Sequence, residues 1–275
     1  PAWIRHPELT KPILLANHTK FPNRLSFADL GPAYRDSVKQ FYINLITSAG
    51  YDPAQFDWID YSDSIAGELE IPKSDLYNHR LVIALDTDWS VSLSDGPGRM
   101  QETPYMKYLD VGGMLWLIGR RSFEQASEAG RREFGLSTHP LAYTYFNLSA
   151  VITQAVDFAQ AEFAGATPNQ TDFPNLPDLP VDTVRVHQTS YGPFQYWHGL
   201  FGVDHLIRFN DSQTLYTFRA VYPDTSQFHS FPVAIRWDKG TWKTSYFAFP
   251  LYFMQTEQAM AITQQMLGWF FEGTR

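Results

Sequence analysis

Three groups of residues in this chain are of types that could do chemistry. Asp86-Thr-Asp88 follows directly on the apolar run Leu81–Leu85. Both carboxylates therefore fall at the carboxyl end of a strand, where α/β proteins bind ligands. Two aspartates two residues apart offer hard oxygen ligands to Mg²⁺ or Ca²⁺, although turn and cap duty is the commoner use of such a pair. Trp197-His198-Gly-Leu-Phe-Gly-Val-Asp204-His205 is the densest polar-aromatic cluster. Its histidines and aspartate suit acid–base work or a metal. Their i, i+7 spacing does not match the i, i+4 pair of a helical metal site, and the glycines between them predict a loop with its histidines bonded to backbone. Ser122 is the third candidate. A hydrolase elbow reads Gly-x-Ser-x-Gly because the strained turn needs small neighbours. Arg121 and Phe123 are bulky, so Ser122 reads better as a helix N-cap with Glu124 in the first turn. Arg120 and Arg121 at that helix start could hold an anion; surface charge is the plainer account. The ligand-binding candidates are thus Asp86, Asp88, Arg120 and Trp197, and no cofactor is called for.

These residues must be positioned by a regular frame. Leu81–Leu85 and Met114–Ile118 are too short for helices and too continuous for half-exposed strands. Such runs predict strands covered on both faces, as in a parallel sheet flanked by helices. Between them Tyr105–Asp110 reads as the end of a helix, and Gly112-Gly113 as the turn back to the sheet. Upstream, Pro12–Ala16 predicts a strand. Tyr34–Ala49 predicts a helix, with Val38, Phe41, Tyr42, Leu45 and Ile46 on one face and Gly50 as its stop. Phe56–Tyr61 alternates like a strand, and Ser62–Asp75 is polar. Strand, helix, strand, helix, strand begins a doubly wound sheet.

After Phe123 a charged helical stretch is expected to about Glu133, ending at Gly135. Thr144–Phe163 reads as a helix with Asn147 near its start, and Ala166–Pro180 as a Pro-rich surface loop. Thr214–Val221, Pro232–Trp237 and Thr241–Phe249 read as strands, with a hairpin turn at Asp238-Lys-Gly240. A final helix, capped by Thr256, presents Ala259, Ile262, Met266, Leu267 and Phe270.

With 275 residues and 44% hydrophobic composition, the chain can bury a full core as one large domain. Net charge is −8 and no basic cluster exists, which argues against a nucleic-acid surface. Cysteine is absent, so disulfides, zinc–thiolate sites and a cysteine nucleophile are excluded. No apolar run approaches the ~20 residues of a membrane helix. The chain starts Pro1-Ala2-Trp3, as expected of a processed form or excised domain. Charged residues are only 18% against 16% aromatic, which predicts some exposed rings.

Two phrases carry a resemblance. YLDVGGMLWLIGRRSF, and PVAIRWDKGTWKTSYFAFPLYFM with the later MLGWFF, are similar to the central strand-turn and the closing hairpin and helix of class I glutamine-amidotransferase-like domains. The resemblance runs from Ile13 to Phe271, and it is nearest to noncatalytic versions in large secreted bacterial proteins. In active members a cysteine occupies a turn after a central strand and a late strand carries His-Pro-Glu. By position the turn falls at Gly119-Arg120-Arg121-Ser122, without a cysteine. The second site falls at Phe249-Pro250-Leu251, where only the proline is kept. A thioester mechanism needs a thiolate and a base in hydrogen-bond reach, so glutaminase activity is excluded.

The resemblance implies an α/β domain, a mostly parallel sheet flanked by helices with a late antiparallel hairpin and a C-terminal helix. It implies a noncatalytic extracellular or cell-surface module for assembly, scaffolding or carbohydrate contact. Its partners would be other subunits or domains of a larger secreted protein, a second copy of itself, or a glycan. The alternative is a divergent hydrolase using Ser122 or the Asp86/Asp88 and His198/Asp204/His205 groups. It requires those side chains to converge at the sheet's carboxyl edge.

Overall fold

A computed structural model of the chain describes residues 8–18, 31–61, 71–86, 102–120, 122–123, 130–153, 163–189, 199–200 and 202–273. In chain order the elements are β1 (Lys11–Asn17), α1 (Gly31–Ser48), β2 (Phe56–Asp60), α2 (Lys73–Tyr77), β3 (His79–Asp86), α3 (Glu102–Asp110) and β4 (Met114–Gly119). Then come β5 (Gly130–Glu133), β6 (Leu148–Thr153), β7 (Phe163–Pro168), β8 (Leu179–Pro180), α4 (Thr183–Thr189) and β9 (Asp204–Arg208). Last are β10 (Gln213–Ala220), β11 (Pro232–Asp238), β12 (Lys243–Phe247) and α5 (Thr256–Phe271).

Nine strands form one sheet in the order β2-β1-β3-β4-β12-β11-β10-β7-β8. The first five run parallel and the remaining pairings are antiparallel. The protein is a mixed α/β fold with helices on the parallel part, antiparallel strands later in the chain and a C-terminal helix. The apolar runs behave as their continuity predicts. Every side chain of Leu81–Leu85 and of Met114–Ile118 is buried, which only a strand with layers on both faces achieves. The predicted apolar faces of α1 and α5 are buried too, and these two helices pack on each other.

Several expectations are corrected. The stretch before Gly135 is not helical where it is described: Gly130–Glu133 is β5, paired antiparallel with β6. Leu148–Thr153 is β6 rather than a helix, because Ala150, Val151 and Ile152 pair across both edges. Asn147 takes the left-handed φ of 56° at the turn into it, a conformation asparagine tolerates. Together β5, β6 and β9 make a separate three-stranded sheet. Its strands find their partners at long range, which local periodicity does not encode. The Pro-rich loop is shorter than expected, since its two ends are β7 and β8. The predicted late hairpin is present as β11 and β12, which pair antiparallel across the turn after Asp238, and β10, β7 and β8 extend the antiparallel part beyond it. Thr256 does not cap α5; Gln255 precedes the helix without a side-chain cap, and Thr256 Oγ1 accepts from Arg185 Nη2 at 2.9 Å.

One tyrosine staples the central crossover. Tyr108, buried on α3, reaches the carbonyl oxygens of His79 at 3.0 Å and Arg80 at 2.7 Å, and its hydroxyl accepts the Met114 N–H at 3.3 Å. The helix end is thereby tied to the starts of β3 and β4. The ring lies flat against Gly113, where a Cβ would stand 2.3 Å from it. Gly113→Ala is expected to displace Tyr108 and lower stability by about 1–3 kcal/mol. Gly268→Ala, on the exposed face of α5 with nothing within 4 Å of the new carbon, is expected to raise stability by about 0.5–1 kcal/mol. Urea unfolding of the two variants beside the parent reads both signs.

Candidate functional site

The parallel strands β2, β1, β3, β4 and β12 end together, at Asp60, Asn17, Asp86, Gly119 and Phe247. Chain order places β2 on one side of β1 and β3 on the other, so the topological switch point lies between the carboxyl ends of β1 and β3. There Asn17 Nδ2 donates to Asp60 Oδ1 at 3.2 Å. His18 Nε2 lies 2.8 Å from Tyr105 Oη, and the His18 ring stacks on Tyr61 at 5.4 Å. Tyr61 in turn donates to Asp75 Oδ2 at 2.9 Å. Burial, helped by the neighbouring Tyr61 and Tyr108, holds the Tyr105 phenol well above its ordinary pKa. Burial and the Asp75 carboxylate do the same for Tyr61. Both phenols stay protonated at neutral pH, so neither acts as a phenolate base. Sequence reading passed over His18, Tyr61, Tyr105 and Asp75. The available signal was positional: Asn17-His18 follows a buried strand directly.

The positions matched to the amidotransferase triad also come together, because β4 and β12 are parallel neighbours with Ile118 opposite Phe247. They are filled by packing. Phe249 is buried against Phe163 at 5.2 Å and Phe247 at 5.5 Å, and Leu251 is buried. Arg120 is buried as well, its guanidinium 5.6 Å from the Phe253 ring. This corrects the reading of Arg120 as surface charge: the strand end is covered, and the cation rests on an aromatic face.

Ser122 and Asp204 are brought together by a residue the sequence did not flag, Tyr246. Asp204 Oδ2 accepts the Tyr246 hydroxyl at 3.1 Å. Ser122 lies beside the same phenol oxygen, its own Oγ buried and without a hydrogen bond of standard geometry. Burial and then the Asp204 charge push the Tyr246 pKa well above its usual value, against a smaller opposing effect of Ser122. Ser122 and Asp204 are both 0% exposed. The cluster sits between the large sheet and β9, inside a shell formed by Phe123, Phe146 and Tyr246.

His205 is not part of that cluster. It is the second residue of β9, not a loop residue, and consecutive strand residues point to opposite faces. Its ring stacks on Phe228 at 4.2 Å with an interplanar angle of 2°, with Phe218 at 4.9 Å and Phe231 at 5.9 Å. Neither ring nitrogen has a hydrogen bond. Asp86 ends β3 opposite Gly119. Asp88, Trp197, His198 and the expected first helical turn at Glu124 lie outside the described residues. Among the described residues no three His, Asp or Glu side chains converge as a metal site would require, and no helix is long and apolar enough to cross a membrane.

Fold and site together define a mixed α/β protein in which the adjoining ends of β4 and β12 are filled by buried side chains. No family model matches the chain, and no curated protein does. Solved structures are similar in fold. A GH42 β-galactosidase from G. stearothermophilus, in the form of a catalytic mutant, matches at a TM-score of 0.50 with 10% identity, covering 94% of this chain and 30% of that one. A β-galactosidase from the haloarchaeon Halorubrum lacusprofundi matches at 0.51 with 9% identity, with coverage of 94% and 30%. A ThuA-like protein from Parabacteroides merdae matches at 0.43 with 10% identity, over 97% of this chain and 92% of that one. The chain thus spans about a third of the length of the β-galactosidases, and at these identities the likeness is one of fold alone.

Burial lowers the His205 pKa to about 3. An unfolded histidine takes its proton near pH 6.5, so between these values the unfolded state binds more protons than the folded one. Stability is therefore expected to fall as pH drops below about 6.5, by up to about 1.4 kcal/mol per pH unit. In His205→Phe, which suits the same cage of rings, that dependence should vanish between about pH 7 and pH 5, above the carboxylate range. Urea midpoints measured across that interval decide it; equal slopes for parent and variant would mean that His205 takes up its proton in the fold as it does unfolded.

Proposed function

We propose that this chain is a noncatalytic interaction module of the class I amidotransferase-like type, acting through assembly with other domains or subunits of a larger extracellular protein, a second copy of itself included. The observation that carries the reading is the packing at Phe249, Leu251 and Arg120, the positions that match the triad. A thiolate and a histidine–carboxylate pair have been replaced by a hydrophobic joint, which is what a fold retained for its shape would do. A further support is size: similar folds occur as about 30% of β-galactosidase chains, a part of a larger protein. Surface rings supply contact area. Tyr222 is 63% exposed and Phe231 41% exposed, and both flank the connection from β10 to β11. Large rings in such places suit protein contacts.

Light scattering over a concentration series tests the assembly. The expected mass lies above the 31.6 kDa of one chain and rises with concentration, and the double variant Tyr222→Ser/Phe231→Ser shifts the association to about tenfold higher concentration. A strict monomer that also hydrolyses model esters or amides would overturn the reading.

A further inference from the structure

A cleft unrelated to the strand ends lies on the face of the sheet that α5 covers. The loop at 172–176, β10, β11 and α5 enclose about 240 Å³. Its floor is apolar, made by the buried Leu176, Leu215 and Met266. One wall is Arg236, whose guanidinium is clamped between Phe173 at 4.3 Å and Trp269 at 5.0 Å. Its Nε donates to Gln213 Oε1 at 3.0 Å. Five N–H donors project from a guanidinium, and that bond uses one. No ion pair joins Arg236 to a carboxylate among the described residues. Burial lowers its pKa, and the charges of Glu272 and Asp238 act in the opposite direction from farther away.

The rim supplies the complementary chemistry. Asp172 and Asn175 stand on one side and Gln265 on the other. Asp172 Oδ2 accepts from Asn169 Nδ2 at 2.8 Å, leaving its second oxygen to accept again. Gln265 Nε2 donates to the Asn175 backbone carbonyl at 2.8 Å, which orients its amide oxygen and leaves it as an acceptor.

We propose that this cleft binds a single uncharged sugar residue. Fixed donors on Arg236 face acceptors on Asp172 and Gln265 across an apolar floor. A pyranose matches that mixture, because each hydroxyl both donates and accepts while its C–H face is apolar. A small anion matches it poorly, since Asp172, Asp238 and Glu272 all place negative charge around the arginine. The volume lies below the ~300–1,000 Å³ of sites for drug-sized ligands, so one ring is what it admits. The stacked guanidinium is held before any ligand arrives, which spares the ordering cost of a free arginine side chain. This site does not depend on the assembly reading, and either can fail without the other.

The test is a calorimetric and saturation-transfer NMR titration of the full chain with methyl β-galactoside, methyl β-glucoside and methyl α-mannoside, beside glucuronate, inorganic phosphate and glycerol. At least one methyl glycoside is expected to bind with a dissociation constant of about 0.1–5 mM, more tightly than glucuronate or phosphate. Arg236→Gln and Gln265→Ala should each weaken it by about tenfold. Gln265 is exposed, so its variant keeps the fold even if Arg236→Gln does not. Absence of glycoside binding at about 20 mM would overturn the proposal, as would binding that both variants retain. Tighter binding of glucuronate or phosphate would make the cleft an anion site and overturn it equally, and glycerol binding as well as the glycosides would show that no ring is recognised.

Discussion

Everything in this fold leans on β4 being enclosed on four sides. It pairs with β3 on one edge and β12 on the other, and all of its side chains are buried. Trp116 goes to one face, against Phe247 and Phe270 of α5. The register sets Leu117 beside Tyr246, on the face where Phe123 and Phe146 pack. A strand in that position has its backbone bonds satisfied by neighbours and its side chains by two layers, so it tolerates neither a charge nor a misregistered partner. Tyr108 sets its start, and Gly113 is the residue small enough to let that ring in.

The same enclosure shapes the polar groups. Low charge content and many rings give several buried or half-buried polar side chains aromatic neighbours, beside an ion pair in the case of Arg185 and Asp182 at 3.4 Å. Arg120 rests on Phe253, Arg236 between Phe173 and Trp269, Arg185 over Phe41 and Tyr252. His205 lies against Phe228. Where hydrogen bonds are made in the interior, tyrosine makes many of them: Tyr105 to His18, Tyr246 to Asp204, Tyr108 to the β3 carbonyls. A phenol raised in pKa by burial remains a neutral donor, so these contacts tie elements together without bringing a new charge inside. Among the described residues the rings are therefore largely interior structure, with Tyr222, Phe231 and Phe209 exposed.

The adjoining ends of β4 and β12 bring two loops together and fill the space between them with side chains. Parallel pairing of β4 with β12 brings the two loops together whatever their side chains are. What those loops carry decides whether the place is a cleft or a joint, and Phe249 and Leu251 make it a joint. The polar lining of the Arg236 cleft stands elsewhere, between α5 and the antiparallel strands, where a loop crosses the sheet and leaves a gap.

Local pattern alone was enough to read the parallel half of this protein. Continuous apolar runs at Leu81–Leu85 and Met114–Ile118, the helical spacing of Val38 to Ile46, and Gly112-Gly113 each specify an element through forces acting within a few residues. The absence of cysteine, and of His-Pro-Glu at Phe249-Pro250-Leu251, was legible too, since it needs only residue identities. The second sheet was not. Gly130–Glu133 is polar and Leu148–Thr153 is ambiguous by period, and both become strands because β6 finds β9 more than fifty residues away. Pairing at that distance leaves no trace in the periodicity of either partner. For the same reason the meeting of Ser122, Tyr246 and Asp204, the stack of His18 on Tyr61, and the parting of Asp204 from His205 belong to the folded chain. Each depends on which strand lies beside which and on which face a residue points from, and a one-residue shift of register would undo all three.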